Sequence, residues 1–503
     1  MDQDFHYYGT YAAARMGGWN PDDATLIAKA ANFVDFFNQA TYRGYWVYKR
    51  DKYELGMLEY PRYTFDQEDH VLGLPCGAMG TWAAFHFLPG NFEPTRTLRY
   101  PRANLPGLVK RKMTEGEWVP RGRHRASRNT YDWRLTRPLS PLSRCLVQDT
   151  IELATSDAEV NKVLGYAPGL EYFHFENGEQ AVRDKFRKIL MGVRAHVIAD
   201  TWAHQDFAAA SHNINTYWDI HSSTKGTFHN RTGTYGIRVN VNDGQGYYNT
   251  VLGRKEKRPF IEHGMGALGA SPVVAGGVLG KLGHGWMGHL PDHSFVSYQY
   301  RPFWKNKRVH TRENIKVYMD ALYDLRHMMA ECRSPTPVGL GPMPQDLEDG
   351  LHIVLSTCWA DVEESIAPRI FCGDAWVDYL NDRGGAPTKL DMTKEPCDAT
   401  VLFGGLKSQR HLSHKKGTRP GYGTFTLEIE DGNKDIIDFY LFQLAADYHF
   451  QYVKEWLLEY GRVGTSTKLV NNRPSFGKWG DKPGPLGGGV THLAARRVAL
   501  RQR

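Results

Sequence analysis

Cysteine is scarce: six residues in a chain of 503, Cys76, Cys145, Cys332, Cys358, Cys372 and Cys397, with no C-x-x-C pair among them. That spacing indicates neither a disulfide framework nor a thiolate zinc site, and predicts reduced thiols in the core. Long apolar runs are missing as well. The uncharged stretch 264–280 is rich in glycine and contains Pro272, so it is too short and too weakly apolar to span a bilayer, and no transmembrane segment is expected. The opening Met-Asp-Gln-Asp-Phe-His lacks the basic and apolar regions of a secretory signal. The expectation is a protein that is cytoplasmic when synthesised, with any export left to a secretion system that needs no signal peptide.

What is present is the composition of a packed, soluble chain, 41% hydrophobic and 23% charged, long enough for a large core and more than one domain. Histidine is plentiful at 21 residues, and imidazole is the usual ligand of borderline metals where thiolates are absent. The net charge of +7 is unevenly spread. Residues 93–137 hold 12 Lys or Arg against 4 Asp or Glu, and residues 462–503 hold 9 against 1, so each segment carries +8. The first interleaves Arg121, Arg123, Arg125 and Arg128 with Trp118, Tyr131 and Trp133, a mixture that suits phosphate-rich partners. A solvated basic loop has the same composition.

Helix signals dominate. Asn20-Pro21-Asp22-Asp23 joins an N-cap, a first-turn proline and acidic residues at the positive dipole end, opening a helix to about Asn38. A second helix begins at Thr311 with the stripe Ile315, Tyr318, Leu322, Leu325 and Met329, a third follows Pro344, and a fourth runs from about Asp435 to Tyr460. Two stretches alternate instead, Ile237-Val239-Val241 and Phe425-Leu427-Ile429, and read as small β-hairpin insertions. The expected fold is mainly α, a multi-helix bundle. Its metal-binding core is expected at 1–372, with a basic excursion at 92–140 and an insertion at 208–260. A C-terminal extension at 373–461 and a mobile, Gly-rich tail at 462–503 follow.

One predicted helix carries chemistry. Its apolar stripe, Phe186, Ile189 and Val193, continues in register through His196, Asp200 and His204 before returning to Phe207. Burying three such groups costs several kcal/mol unless each has a counter-group, and a metal supplies one to all. His196 and His204 lie roughly 12 Å apart along the axis, too far for one ion. Asp200 between them can offer one oxygen to each side, which favours at least two divalent ions, zinc or a similar metal, bridged by Asp200. A buried His-Asp-His hydrogen-bond network without metal is the alternative.

Further ligand types cluster elsewhere. Gly-His284-Gly-Trp-Met-Gly-His289-Leu-Pro-Asp292-His293 places three histidines and a carboxylate in ten residues, and its glycines let the backbone pass close to a neighbour. His289 and His293 could close on one ion if helical, with Asp292 in place of His293 if Pro291 prevents it. Asp2, Asp4 and His6 alternate at the start, Asp35 lies beside the apolar face of the first helix, and Asp66, Asp69, His70 and His86 are additional candidates.

The opening Asp-Phe-His-Tyr-Tyr-Gly-Thr-Tyr-Ala-Ala-Ala-Arg, the Phe85-His86-Phe-Leu-Pro-Gly stretch, the His196-to-His204 helix and the Gly-rich histidine stretch resemble a bacterial family of unknown function, between Met1 and about Ile366. More distantly, the ligand order is similar to that of the zinc-dependent phospholipase C and single-strand nuclease superfamily. That resemblance implies an all-helical fold with up to three zinc ions, His6, His196, Asp200, His204, His289 and Asp292 or His293 falling on the superfamily's ligand order. Superfamily members use an N-terminal tryptophan amine; here the resemblance implies that Asp2 or Asp4 stands in. The chain from about Gly373 has no counterpart in it.

The expected function is a zinc-dependent phosphodiesterase acting on phospholipid or nucleic acid, as a delivered effector or a cytoplasmic enzyme. Asp200 and His204 are the expected catalytic groups, and Arg121, Arg123, Arg125 and Arg128 the groups that attract an anionic substrate. A non-catalytic protein whose helices are stapled by metal and a metal hydrolase of esters or amides are the other readings.

Overall fold

A computed structural model of the protein describes residues 1–2, 4–37, 44–50, 53–58, 62–65, 78–91, 134–167, 178–209, 213–218, 238–241, 247–249, 254–256, 283–285, 287, 290–305, 308–334, 340–357, 359–360, 373–385, 388–393, 423–428, 434–459, 485–486, 490, 493 and 496–497. In chain order the elements are a π-helical turn Phe5–Gly9, α1 Thr10–Met16, α2 Pro21–Phe33, β1 Gly44–Arg50, β2 Tyr53–Leu58, α3 Ala78–Phe85, α4 Pro141–Thr155, α5 Asp157–Leu164, α6 Gly178–Ala203, β3 Tyr217–Trp218, β4 Arg238–Val241, β5 Tyr247–Asn249, β6 Arg254–Glu256, β7 Val296–Pro302, β8 His310–Glu313, α7 Asn314–Arg333, α8 Gln345–Ser356, β9 Trp359–Ala360, α9 Gly373–Leu380, β10 Gly423–Glu428 and α10 Lys434–Glu459. The protein is mainly helical. No helix among the described residues is long and apolar enough to cross a membrane.

Two compact units share the chain discontinuously: Met1–Ala24, His86–Arg144 and Val197–Glu395 form one, and Thr25–Phe85, Cys145–His196 and Pro396–Arg503 the other. In the first unit, β7 is the central strand of a small sheet, antiparallel to β3, β4 and β8, with Val296, Tyr298 and Tyr300 turned inward. A second sheet orders its strands β6-β5-β9. The helices pack through aromatics: the Phe5 ring meets Tyr318 of α7 edge-on at 5.0 Å, and Tyr8 stacks on Trp376 of α9.

In the second unit, α10 is buried nearly all round, from Phe439 to Trp456, which makes it a core helix rather than a surface one. Phe33 and Phe442 meet at 4.9 Å. Asp149 of α4 is fully buried between Arg194 of α6 at 2.7 Å and Arg497 at 2.8 Å, with the Tyr448 hydroxyl of α10 donating to it. Gly192 is a point of close helix approach: a Cβ there would meet the Ile27 carbonyl oxygen of α2 at 2.3 Å.

The four helices predicted from caps and stripes are present, with shifted ends. The first stops at Phe33, and His310–Glu313 ahead of α7 pair with β7 as a strand instead of starting the helix. Among the described residues, neither alternating stretch pairs with the strand next to it in sequence. β4 pairs with the distant β7, and β10 pairs in parallel with β1, Gly44 opposite Gly423. Alternation marks a strand but carries no information on its partner. The antiparallel pairs β1–β2, β5–β6 and β7–β8 are the local ones among the described residues. Within 462–503, Leu486, Val490 and Arg497 are buried, the last beside Asp149.

Candidate metal centre

The centre is built on the last turns of α6. The helix continues through His204, whose amide donates to the Asp200 carbonyl, and stops at Asp206, whose φ of 81° no helix accommodates. Asp200 is 1% exposed and His204 5%, so the groups in register with the apolar stripe are buried as the pattern predicts. The π-helical turn, opened by the Asp4 carboxylate capping the Phe5 amide at 2.8 Å, buries His6 completely.

Asp200 lies among several nitrogens of the first unit. Its Oδ1 is 3.2 Å from His6 Nε2 and 2.7 Å from the Met1 nitrogen, while Oδ2 is 3.4 Å from His86 Nδ1. The Met1 nitrogen is also 3.2 Å from His204 Nε2 and 3.5 Å from Asp292 Oδ1. It is this nitrogen, not Asp2 or Asp4, that stands beside Asp200. Asp2 pairs with His293 at 2.8 Å, and Asp4 has one oxygen on the Phe5 amide and the other accepting from Trp376 Nε1 at 3.3 Å. Burial, reinforced by the neighbouring Asp2, pushes the Asp4 carboxyl up to about 6.

A complete ligand group stands next to this carboxylate. His204, His284 and Asp292 each offer one atom, all within 4.8 Å of one another. His204 Nε2 is 3.1 Å and His284 Nε2 3.4 Å from Asp292 Oδ1. His204 Nδ1 donates to the His86 carbonyl at 2.7 Å, which in the neutral ring selects the tautomer with Nε2 free to act as a ligand atom. The Phe87 ring stacks on His204 at 4.7 Å and fits because Gly283, at φ 54°, has no Cβ to clash with it.

The second unit repeats the motif at His196. His196 Nδ1 lies 3.0 Å from the Ala31 carbonyl of α2, and His196 Nε2 faces Asp35 Oδ1 at 3.7 Å. The close approach at Gly192, one turn earlier, puts the α2 carbonyl within that reach.

Of the predicted ligands, His6, His86, Asp200, His204, His284 and Asp292 are therefore brought together, Asp35 and His196 are paired, and Asp4 and His293 are engaged elsewhere. His289, Asp66, Asp69, His70 and the arginines Arg121, Arg123, Arg125 and Arg128 lie outside the described residues. Sequence reading missed Arg312, Asn314 and Tyr318, which hold the ligand-bearing segments; only their place beside a helix start hinted at a role.

Buried imidazoles facing carboxylates on a helical scaffold are a donor set that could hold a divalent metal through nitrogen and oxygen ligands. The chain belongs to a family of unknown function, DUF6765, which it matches over residues 1–457, well past the motif-bearing stretch and through α10. No curated protein and no solved structure matches it.

Proposed function

We propose that this protein is a metal-dependent hydrolase, with zinc as the metal and a phosphodiester of phospholipid or nucleic acid as the substrate. The observation that carries the metal is the convergence of His204, His284 and Asp292, each offering one ligand atom within 4.8 Å of the others. Nitrogen and carboxylate donors without thiolate suit zinc.

One ion is assigned to His204, His284 and Asp292, a second to Asp200 with His6 and His86, and a third, where bound, to Asp35 and His196. Bound zinc would supply an activated water and a Lewis acid for the phosphoryl oxygen. Asp200 and Asp292 balance the charge. His86 and Ala31 hold the imidazoles in the ligating tautomer through their carbonyls. His284, more exposed than its partners at 16%, marks the side from which substrate reaches the centre. The similarity of ligand order to the zinc-dependent phospholipase C and single-strand nuclease superfamily and the basic run from Arg121 to Arg128 support the phosphodiester.

The depth of the site favours one other reading, in which the metals only staple the helices. Structural zinc sites are closed by four protein ligands, whereas catalytic ones keep a place for water.

Elemental analysis of the purified protein, followed by assay against bis(p-nitrophenyl) phosphate, single-stranded DNA and phosphatidylcholine vesicles, tests the proposal. Two or three zinc ions per chain and chelator-sensitive cleavage of one of these are expected. No stoichiometric metal would overturn the metal, and metal without cleavage of any of the three would turn the reading to the structural one.

A further inference from the structure

The two segments that bring His204 and Asp292 together end or lack regular structure. His204 closes the last turn of α6, where the last carbonyls of a helix have no partner within it. Asp292 lies in irregular chain between Leu290 and Phe295, beside Pro291. A ligand drifting by half an ångström is enough to spoil a metal site, so something else must fix both.

We infer that Arg312, Asn314 and Tyr318, on β8 and the first turns of α7, are positioning residues that set His204 and Asp292 at ligating distance from each other. The inference rests on the metal assignment above. The Arg312 guanidinium closes the end of α6: Nη1 donates to the Gln205 carbonyl at 2.8 Å, and Nη2 donates to those of Trp202, at 2.9 Å, and Ala203. Asn314, fully buried at the helix start, donates from Nδ2 to the Leu290 and His293 carbonyls, both at 2.7 Å, one on each side of Asp292. The Tyr318 hydroxyl, one turn on, donates to the Pro291 and Asp292 carbonyls.

Three side chains within seven residues of one rigid strand-and-helix junction thus grip both ligand segments through their backbones and touch neither ligand atom. The β7–β8 pairing anchors the junction, with Tyr298 opposite Arg312. A junction of this kind fixes the distance between two ligands without lending an atom to the ion. Loss of such an outer contact typically weakens metal binding by about 10- to 100-fold.

The test is zinc affinity, by competition with a chromophoric chelator, of full-length wild type, Tyr318→Phe, Asn314→Ser and Arg312→Lys. Tyr11→Phe serves as control, because that hydroxyl also donates to carbonyls, those of Leu390 and Asp391, at 3.1 and 2.8 Å. The melting temperature of the chelator-treated protein is read alongside. Tyr318→Phe and Asn314→Ser are expected to weaken zinc binding tenfold or more, whereas Tyr11→Phe lowers the melting temperature and leaves zinc affinity within twofold. Arg312→Lys, which keeps the charge but loses the two-nitrogen fork, is expected to fall between. Should one variant not fold, the other two carry the test. Wild-type affinity in all folded variants, with wild type binding zinc, would overturn this inference alone. Wild type that binds no zinc would overturn the metal assignment and this inference with it.

Discussion

Nε2 of His6 stands 3.2 Å from Oδ1 of Asp200, joining a histidine of the opening π-helical turn to a carboxylate nearly two hundred residues later on α6. The other oxygen of the same carboxylate faces His86, so Asp200 is the anion shared by the two imidazoles assigned to one ion. Asp200→Asn keeps the shape and removes the charge. It is expected to lower bound zinc by at least one ion per chain, whereas Asp4→Asn, at a carboxylate already committed to Phe5 and Trp376, is expected to leave the count unchanged. Elemental analysis decides this, and equal zinc in both variants would reduce Asp200 to a core acid.

Gly192 gives a stability prediction on the same helix. Any side chain there would press on the α2 backbone, since a Cβ would meet Ile27 O at 2.3 Å and the Ala30 Cβ at 2.7 Å. Gly192→Ala should improve helix propensity, yet overpacking dominates and the expected net loss is about 1–3 kcal/mol in urea unfolding. The same displacement would carry the Ala31 carbonyl away from His196, so weaker zinc binding should accompany it. A more stable variant would show that the two helices can part at no cost.

The stripe of α6 and the caps of α2 were legible because both are local: periodicity, an Asn20 side chain accepting from the Asp23 amide at 2.8 Å, and three polar groups where core residues belong. The ligand pairings needed long-range contacts. Nothing near His86 in sequence shows that its carbonyl holds His204, and nothing around Asp35 shows that it faces His196. Strands β1 and β2 were readable in principle, since Tyr45-Trp-Val-Tyr48 is rich in strand formers and ends on the polar Arg50-Asp-Lys. The parallel partner β10, more than 370 residues away, was not.

Arg497 shows how a charge count misleads. In sequence it is one more basic residue of a +8 segment; in the fold it is 5% exposed and lies 2.8 Å from Asp149 and close to Glu159. Asp149 keeps Arg194 when Arg497 is lost, but a pairing within a dry core is broken. Arg497→Met is therefore expected to cost about 2–4 kcal/mol, slightly less than removal of a sole partner. Chemical unfolding measures it, and a change below about 0.5 kcal/mol would show that the end of the chain does not contribute to the core.

Asp324 provides the pH dependence. Burial pushes its carboxyl from the ordinary 3.8 up to about 6, against the opposing pull of the Trp202 indole, which donates to it at 3.0 Å, and of Arg144. A raised carboxyl favours the protonated folded state. Below about pH 4 both folded and unfolded chains are protonated and there is no penalty. Between about pH 4 and 6 the unfolded chain ionises first, stability falls through that window, and the loss persists above it. Asp324→Asn keeps an acceptor for Trp202 and cannot ionise, so its stability relative to wild type should rise from pH 4 to pH 7.5, by at most roughly 3 kcal/mol. Urea unfolding at both pH values tests this. Parallel wild-type and variant profiles would mean that the carboxyl ionises in the folded protein as easily as in the unfolded one, and that the Trp202 indole and Arg144 offset the whole cost of its burial.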